Sequence, residues 1–351
     1  MSVRRAAGAC SAAVLLLAAF TGQALAATKT VSAGPNAKLA PELSINDFFR
    51  QTVTIHQGDS VKWTFRGFHN VVFPAKGQKA PPFITVDPST KYDGFADTAG
   101  APFWFNGQPR QVVDARSGFP VGTKTYDGTK LTGSGLPQGD TAAPYKLQFT
   151  KTGVFTYYCT IHPGMKARVK VLPKTARIPT AAQDAKAAKQ QLAVAVKQAK
   201  KLAAPKLPAA TVYGGSDRGS VNYLKFFPGT VTIKAGQSVA FSVPGSQEPH
   251  TVSFGTQAYL KDIVAKQITP VPGAGGPPTL VFDPRALFPS DPPGSLPPYT
   301  GQNHGDGFLS TGILGKGLPF GTKASITFSN PGTYGFICLI HPEMHGTIVV
   351  Q

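Results

Sequence analysis

The 351-residue sequence contains very little sulfur, with three cysteines and three methionines. After the first 26 residues, only two of each remain: Cys159, Cys338, Met165 and Met344. So few cysteines exclude the disulfide-dense scaffolds typical of small secreted domains. A single disulfide between Cys159 and Cys338 stays open as the plain alternative to a special role for these side chains.

The sequence also lacks a hydrophobic run long enough to span a bilayer. The apolar stretch AAVLLLAAF at 12–20 follows Arg4 and Arg5 and precedes the small residues ALA at 24–26. This order is typical of a secretory signal peptide. We therefore expect residues 1–26 to be removed, Cys10 among them. The mature protein should then be soluble, and either secreted or held in the periplasm or cell envelope.

Acidic side chains are scarce, with 17 Asp and Glu against 35 Lys and Arg and a formal net charge of +18. Residues 28–173 carry 17 basic and 9 acidic side chains, and residues 174–210 carry eight and one. Residues 211–351 are nearly balanced, with eight and seven. The basic part predicts attraction to an acidic partner protein or an anionic envelope surface. Its charges are not interleaved with aromatic residues, which argues against nucleic-acid binding.

The scarce sulfur atoms recur in one motif. YYCTIHPGM at 157–165 and FICLIHPEM at 336–344 both place His three positions and Met six positions after Cys. A second match lies upstream, between FFRQTVTIHQGDSV at 48–61 and FFPGTVTIKAGQSV at 226–239. We interpret the chain as an internal duplication. A disulfide would have to join equivalent edges of the two copies, which disfavours it.

Both copies have the pattern of β-structure. Runs such as TVTI, SVKWTF and ASITF carry β-branched and aromatic residues, and 38 Gly and 32 Pro supply turns between them. Short strands at this spacing predict an all-β chain with two β-sandwich domains, at 28–173 and 211–351.

A basic linker at 174–210 joins the two predicted domains. Its Ala-, Lys- and Gln-rich part, 180–205, predicts a helix that Thr180 caps and Pro205 ends. Such a helix holds the domains well apart, unless it packs back on one of them.

Each copy also contains a histidine upstream of its motif, His69 in GFHNVVF and His250 in EPHTVSF. Two imidazoles, a thiolate and a weak thioether are the donors of a type 1 copper site for electron transfer. Zinc is the competing metal, but structural zinc sites do not recruit methionine. The two candidate ligand sets are His69, Cys159, His162 and Met165, and His250, Cys338, His341 and Met344.

The motif Cys-x2-His-x2-Met after an upstream His resembles the cupredoxin family. The short ligand loop is most similar to that of the amicyanin members, whereas the plastocyanin and pseudoazurin members have longer loops. The resemblance implies a Greek-key β-sandwich with one type 1 copper in each copy, held by the residues named above. It also implies that Asn70 braces the thiolate loop by hydrogen bonds. Thr251 stands at that place in the second copy, so the two coppers are expected to differ in potential.

In this sequence the first His and the Cys of each copy are separated by many more residues than in small cupredoxins. The additional segments, 75–140 and 256–320, are rich in Gly, Pro and Asp. FITVDP at 83–88 and LVFDP at 280–284 suggest that the two segments begin alike. These segments either only cover the sandwiches, or they lie over the copper end and shape partner docking. Because long loops in compact domains are often functional, we favour the second interpretation.

The function predicted from the sequence is a single-electron carrier that is not an enzyme. Two-domain copper oxidases and nitrite reductases use His-X-His pairs, or a His beside the type 1 Cys, to reach a catalytic copper. This chain has Tyr158 and Ile337 before its cysteines and no His-X-His. Its other histidines, His56, His304 and His345, are expected to be solvated.

Two further functions stay open. Extracytoplasmic copper binding, storage or delivery needs the same ligands, and a catalytic copper ranks lower. For the electron carrier we expect a redox partner protein, acidic in character, that docks near the exposed edge of His162 or His341.

Overall fold

The chain is all-β, as the sequence predicts. The computed structural model describes residues 26–137, 142–202, 206–245, 247–273 and 276–351. Of the predicted signal peptide, residues 1–25 lie outside the described residues.

The first half of the chain forms two sheets. Its elements are β1 (Thr28–Ala33), β2 (Leu43–Ile45), β3 (Phe48–Phe49), β4 (Thr52–His56), β5 (Ser60–Phe65), β6 (Val72–Phe73), β7 (Ile84–Lys91), β8 (Pro109–Val113), α1 (Ala115–Gly118), β9 (Pro120–Val121), β10 (Thr125–Tyr126), β11 (Thr132–Ser134), β12 (Tyr145–Phe149), β13 (Gly153–Tyr158) and β14 (Lys166–Leu172). One sheet has the order β10-β12-β5-β1-β3, and the other has the order β4-β14-β13-β6-β11-β9.

The second half forms two sheets of similar order. The elements after β14 are α2 (Ala181–Ala199), β15 (Thr211–Arg218), β16 (Val221–Phe227), β17 (Thr230–Ile233), β18 (Ser238–Ser242), β19 (Ser253–Phe254), α3 (Gln257–Ala265), β20 (Ile268–Val271), β21 (Thr279–Phe282), α4 (Pro284–Leu287), a single 3-10 turn (Asn303–Gly305), β22 (Leu309–Ser310), β23 (Lys323–Thr327), β24 (Gly332–Ile337) and β25 (His345–Val350). The sheet β17-β25-β24-β19-β22 repeats the order of β4-β14-β13-β6-β11, and β2-β16-β15-β18-β23 is the other sheet. The domain limits 28–173, 174–210 and 211–351 stay predictions.

Each half buries its own core between its sheets. In β14 the apolar residues alternate with exposed charged ones, because successive side chains of a strand point to opposite faces. These apolar residues pack with the fully buried Trp63 and Tyr157. Phe241, Phe254 and Phe336 fill the same role in the second half.

The linker contains a shorter helix than the sequence predicts. Thr180 caps α2, with Gln183 completing a capping box, but the helix ends at Ala199. The predicted stop at Pro205 lies outside the described residues. Asp184 of the helix pairs with Lys29 and Arg50 at 2.7 and 2.6 Å. The helix therefore packs back on the first half and does not serve as a free spacer.

Packing across the two halves is extensive. β2, from the first half, pairs antiparallel with β16 of the second. The long segments also join, since β7, β8, β21 and β20 form one four-stranded sheet. One side of α2 buries Ala195 and Ala199 in a cluster with Ile45 and Val221, so the helix contacts both halves.

The long segments correspond to each other differently from the sequence prediction, which matches 83–88 with 280–284. In the structure, α1 follows β8 as α4 follows β21. Asp114 caps α1 and Asp283 caps α4, and each accepts a hydrogen bond from the backbone N–H two residues later. The equivalent stretches are therefore VVDARSGFP at 112–120 and VFDPRALFP at 281–289. The prediction was wrong because it followed an Asp-Pro pair, whereas the shared structure depends on a capping Asp with Arg two positions on.

Among the described residues, no helix is both long and apolar enough to cross a membrane.

Candidate metal centres

The first cluster brings His69, Cys159 and His162 together. The Nδ1 atoms of the two imidazoles lie 3.0 Å apart, and Cys159 Sγ lies 3.9 Å from His69 Nδ1 and 3.4 Å from His162 Nδ1. His69 and Cys159 are buried, at 3% and 4% exposure. Three donor atoms of two different elements therefore converge on one small volume.

The second cluster repeats this arrangement with His250, Cys338 and His341. The two Nδ1 atoms lie 3.1 Å apart, and Cys338 Sγ lies 3.8 Å from His250 Nδ1 and 3.7 Å from His341 Nδ1. Both cysteines are buried and free, so the alternative of a Cys159–Cys338 disulfide does not hold in this structure. Within the described parts of the chain, these two clusters are the groups of three or more His, Cys, Asp or Glu side chains placed to hold a metal ion.

A hairpin connection positions three of the four predicted ligands in each half. Residues 159–165 join β13 to β14, and residues 338–344 join β24 to β25. The N–H of Cys159 donates to the carbonyl of Met165 at 3.0 Å, and the N–H of Met165 donates to the carbonyl of His162 at 3.1 Å. The second loop has the same two bonds, at 3.0 and 2.8 Å. His three positions and Met six positions after Cys therefore belong to one loop that backbone hydrogen bonds close. In each half the loop ends at a buried Met, Met165 or Met344.

Asn70 holds the first ligand loop to the rest of the sandwich. Its side-chain oxygen accepts from the N–H of Thr160 at 2.8 Å, and its amide nitrogen donates to Thr160 Oγ1 and to the carbonyl of Ser117. Ser117 belongs to the first long segment, so that segment supports the loop through Asn70.

Thr251 occupies the corresponding place in the second half with different bonds. Its hydroxyl oxygen accepts from the N–H of Leu339 at 2.7 Å, and its own N–H points at Cys338 Sγ at 3.3 Å. The second long segment supports this loop through Gln267, whose amide donates to the carbonyl of Leu339. The second segment therefore contacts its ligand loop, and the first segment reaches its loop through Asn70. A role of these segments in partner docking stays a prediction.

One glycine beside each upstream histidine was missed by the sequence analysis. Gly34 and Gly215 both have positive φ, at +82° and +73°, and a Cβ there would lie 3.0 Å from His69 Nε2 and 2.5 Å from His250 Nε2. The two residues close the matching stretches TVSAG and TVYGG, a signal that alignment of the two copies could have revealed. Because glycine has no Cβ, these two positions leave room for the histidine rings.

Replacing Gly215 by Ala is expected to disturb the second cluster alone. The new Cβ would displace the ring of His250, and we expect copper affinity there to fall at least about tenfold, with the first cluster unchanged. The measurement is a copper titration of the metal-free protein with the absorption of each site followed separately. Gly236→Ala is the matched control, because Gly236 has a similar φ of +82° and nothing within 4 Å of the new Cβ. Equal effects of the two substitutions would contradict the contact.

Burial keeps the metal-free clusters uncharged. It raises the pKa of both the Cys159 and the Cys338 thiol to about 11. Burial also lowers the pKa of His69 and of His341 to about 4, and that of His162 and His250 well below its usual range. Neutral imidazoles are ready to bind a metal, and each thiol must release its proton when a metal binds.

The donor sets fit a soft metal in a trigonal plane. A metal bonded at about 2.0–2.3 Å to two nitrogens and a sulfur separates these donors by roughly 3.5–3.8 Å. The Sγ–Nδ1 distances, 3.4 and 3.9 Å in the first cluster and 3.7 and 3.8 Å in the second, lie close to this range. The Nδ1–Nδ1 distances, 3.0 and 3.1 Å, are shorter, so the two rings of each cluster must move slightly apart when a metal binds. Thiolate suits Cu(I) and imidazole suits copper in both oxidation states. Both predicted thioether residues are buried at the ends of the ligand loops, where a fourth, weaker donor belongs.

A buried carboxyl lies between the two clusters. Glu248 Oε1 is 3.9 Å from His162 Nε2, and Glu248 Oε2 is 3.7 Å from His341 Nε2. Asn46, next to β2, donates its side-chain amide to Glu248 Oε1. Burial and, to a lesser degree, the charge of Asp217 raise the pKa of Glu248 to about 8. Neither Glu248 nor Asn46 was singled out from the sequence, because their meeting depends on how the halves pack.

The exposed edges expected for His162 and His341 are largely covered. The two side chains keep 15% and 18% of their surface, because each faces Glu248 and the other half. The sequence prediction of exposure was wrong here, since it treats each sandwich alone. The part of His162 that stays open lines a groove together with His69 and Phe68.

The three remaining histidines lie outside the clusters. His304 was expected to be a solvated loop residue, but Asp97 and Asp291 hold its two ring nitrogens at 3.0 and 3.3 Å. It thereby ties the first long segment to the second. His56 is partly buried and contacts the carbonyl of Ala176, while His345 is exposed.

Among solved structures, the chain is similar to forms of amicyanin and to a plastocyanin. Amicyanin from Paracoccus versutus is 22% identical, covering 42% of this chain and 86% of that protein with a TM-score of 0.22. A mutant plastocyanin of fern is 20% identical, covering 40% and 99% with a TM-score of 0.22. A Cu(I) form of an amicyanin mutant is 18% identical, covering 42% and 86% with a TM-score of 0.23. No protein-family model matches the chain, and no curated protein matches it.

Proposed function

We propose that this chain is a secreted blue-copper protein that transfers single electrons through two type 1 copper sites. The observation that carries the proposal is the pair of buried clusters with identical donors, each set by the same seven-residue loop. The first site is held by His69, Cys159, His162 and Met165. The second is held by His250, Cys338, His341 and Met344.

The surroundings of the clusters favour electron transfer over copper release. The ligand loops are closed by backbone bonds, braced by Asn70 or Thr251, and supported by the long segments. Ligands held in this way move little, which keeps the reorganisation between oxidation states small. Bound copper would supply the Cu(I)/Cu(II) couple, and the thiolate would be its strongest ligand.

A coulometric redox titration of the copper-loaded protein tests the carrier function. We expect two electrons per chain, taken up and returned reversibly, with both coppers retained throughout. Copper that leaves the protein on reduction would contradict the proposal and favour the alternative, extracytoplasmic copper storage or delivery.

A catalytic copper is a weaker proposal. Within the described residues, His56, His304 and His345 belong to no metal-type cluster, and Tyr158 and Ile337 stand beside the cysteines. A third tightly bound copper per chain, found by metal analysis, would favour an oxidase or nitrite reductase instead.

Secretion rests on the signal peptide predicted at 1–26. The proposal is that cleavage after Ala26 releases a mature chain that starts at Ala27. N-terminal sequencing of the exported protein tests it, and an intact N-terminus in the exported chain would contradict it.

The redox partner is proposed to dock at the groove beside His162. This groove, of about 360 Å³, is lined by His69 and His162 and edged by the exposed Arg66 and Phe68. Since residues 28–173 carry 17 basic and 9 acidic side chains, an acidic partner fits this half better than a basic one.

Reversing the charge of Arg66 is expected to slow oxidation of the first site by a small anionic oxidant. In a Cys338→Ser background, Arg66→Glu should lower the rate with ferricyanide about 3- to 10-fold at low salt, and less at high salt. Lys151→Glu is the control, because Lys151 lies before β13, at the end away from Cys159. Equal slowing by both substitutions would show a general charge effect and no local groove.

A further inference from the structure

Glu248 stands between the two metal-type clusters and contacts both. Each of its carboxyl oxygens faces a different imidazole, at 3.9 Å for His162 and 3.7 Å for His341. The ring atoms that face it are the Nε2 atoms, whereas the Nδ1 atoms of the same rings point into the clusters. One side chain therefore separates two ligand rings that belong to different halves of the chain.

Glu248 lies at a buried position that is energetically unfavourable for a carboxyl group. Glu248 is 8% exposed, and Asn46 donates one hydrogen bond to its Oε1. Burying a carboxyl group is unfavourable unless polar partners compensate for the lost water. Asn46 is its hydrogen-bond partner, and the two ligand histidines face its carboxyl oxygens. Asp217, which accepts a hydrogen bond from the N–H of the neighbouring Gln247, adds a negative charge nearby.

The packing around Glu248 fixes its distance to both rings. Asn46 directly follows β2, which is paired with β16 of the other half, and the Asn46 N–H donates to the carbonyl of Ser220 at 2.8 Å. Gln247, the neighbour of Glu248, lies close to Gly164 of the first ligand loop. The carboxyl group is thus held from both halves, and the two rings have little freedom to separate.

We propose that the His162–Glu248–His341 bridge carries single electrons between the two sites within one chain. The inference rests on the proposed function. One electron passes from the reduced site to the oxidised site through the conjugated rings and the carboxyl group that separates them. No bond forms or breaks, and no external oxidant or reductant takes part, because one site is oxidised as the other is reduced. Electron tunnelling weakens steeply with distance, so a single intervening side chain favours exchange inside the chain over exchange between chains.

The first test uses the copper-loaded full chain without substitutions. A flash-generated flavin semiquinone delivers less than one electron per chain, and the two thiolate absorption bands, or their paramagnetic resonance signals, follow its redistribution. We expect a phase whose rate does not change over a tenfold range of protein concentration. A redistribution rate proportional to protein concentration would overturn the inference.

Substitutions of Glu248 assign that phase to the bridge. Glu248→Ala should slow it at least tenfold, while Glu248→Gln, which keeps the length and the two polar atoms, should restore most of the rate. Asp93→Ala is the control, because Asp93 is an exposed acid that lies outside both ligand loops. An unchanged rate in Glu248→Ala, with both absorption bands intact, would also overturn the inference.

A readout without electron transfer checks the contact itself. In a Cys159→Ser chain, Zn²⁺ added to the second site should shift the Nε2 resonance of His162 in a nitrogen NMR spectrum. The shift should fall at least threefold when Glu248→Ala is added, and an unchanged shift would contradict the bridge. If copper produces no thiolate band in the wild-type chain, the proposed function itself fails. If both bands form without a first-order exchange phase, only the bridge fails.

Discussion

Metal-free protein is expected to lose much of its stability as the pH falls from about 6.5 to 4. Burial lowers the pKa of His69 and of His341 to about 4, and it also lowers that of His162 and His250. In this interval the unfolded chain binds protons that the folded chain does not, so acid favours unfolding. The histidine contribution to stability is complete above the ordinary histidine pKa and declines until the folded values are reached. The raised pKa of Glu248 acts in the opposite direction over this interval and offsets part of the loss from the four histidines. For His69 or His341 alone, the difference corresponds to roughly 3 kcal/mol.

Denaturant unfolding of the metal-free protein at several pH values measures this effect. The free energy of unfolding should decrease steeply between pH 6.5 and 4.5, and His69→Gln should make the decrease shallower. His345→Gln is the control, since His345 is exposed, and it should leave the pH dependence unchanged. A stability that is flat across this interval would contradict the burial of neutral imidazoles.

Replacing either cysteine by serine is expected to remove one copper site and leave the other. Cys159→Ser deletes the only thiolate of the first cluster, so the intense visible band of that site should disappear. Copper affinity there should fall by more than about 100-fold, because losing even an outer partner of a ligand typically costs 10- to 100-fold. The expected spectrum is that of the second site alone, with about one copper per chain.

Cys338→Ser is the reciprocal control for this prediction. It should remove the other half of the absorption, and the two single-site spectra should add up to that of the wild type. They should differ in detail, since Asn70 braces one loop and the N–H of Thr251 points at the thiolate of the other. A band that survives the double substitution would show that the colour does not come from these thiolates.

The ligand loops were the most predictable part of the site because they are local. Cys159, His162 and Met165 lie within seven residues, and a hairpin between two strands fixes their relation without help from distant parts of the chain. The upstream histidines could be predicted because the duplication aligns His69 with His250. The all-β fold could also be predicted, because alternating apolar residues and turn residues are local features of the sequence.

The contacts between the halves could not be predicted in this way. Glu248 aligns with Gly67 in the other copy, so comparing the two copies reveals no second carboxyl group at this position. Its hydrogen-bond partner, Asn46, lies 202 positions away in the sequence. The linker sequence allows either a spacer or a packed helix, and long-range contacts decide between them: the ion pairs of Asp184 and the burial of Ala195 and Ala199 against both halves. His304 failed as a prediction because its partners, Asp97 and Asp291, are brought together by the packing of two long loops.

Anomalous diffraction at the copper absorption edge, from crystals of the copper-loaded chain, tests whether each half of the chain holds a copper ion. We expect two copper peaks per chain, one among His69, Cys159 and His162 and one among His250, Cys338 and His341, with Met165 and Met344 as the nearest further donors. A single peak, or copper bound away from the cysteines, would contradict the claim that both halves hold a type 1 site.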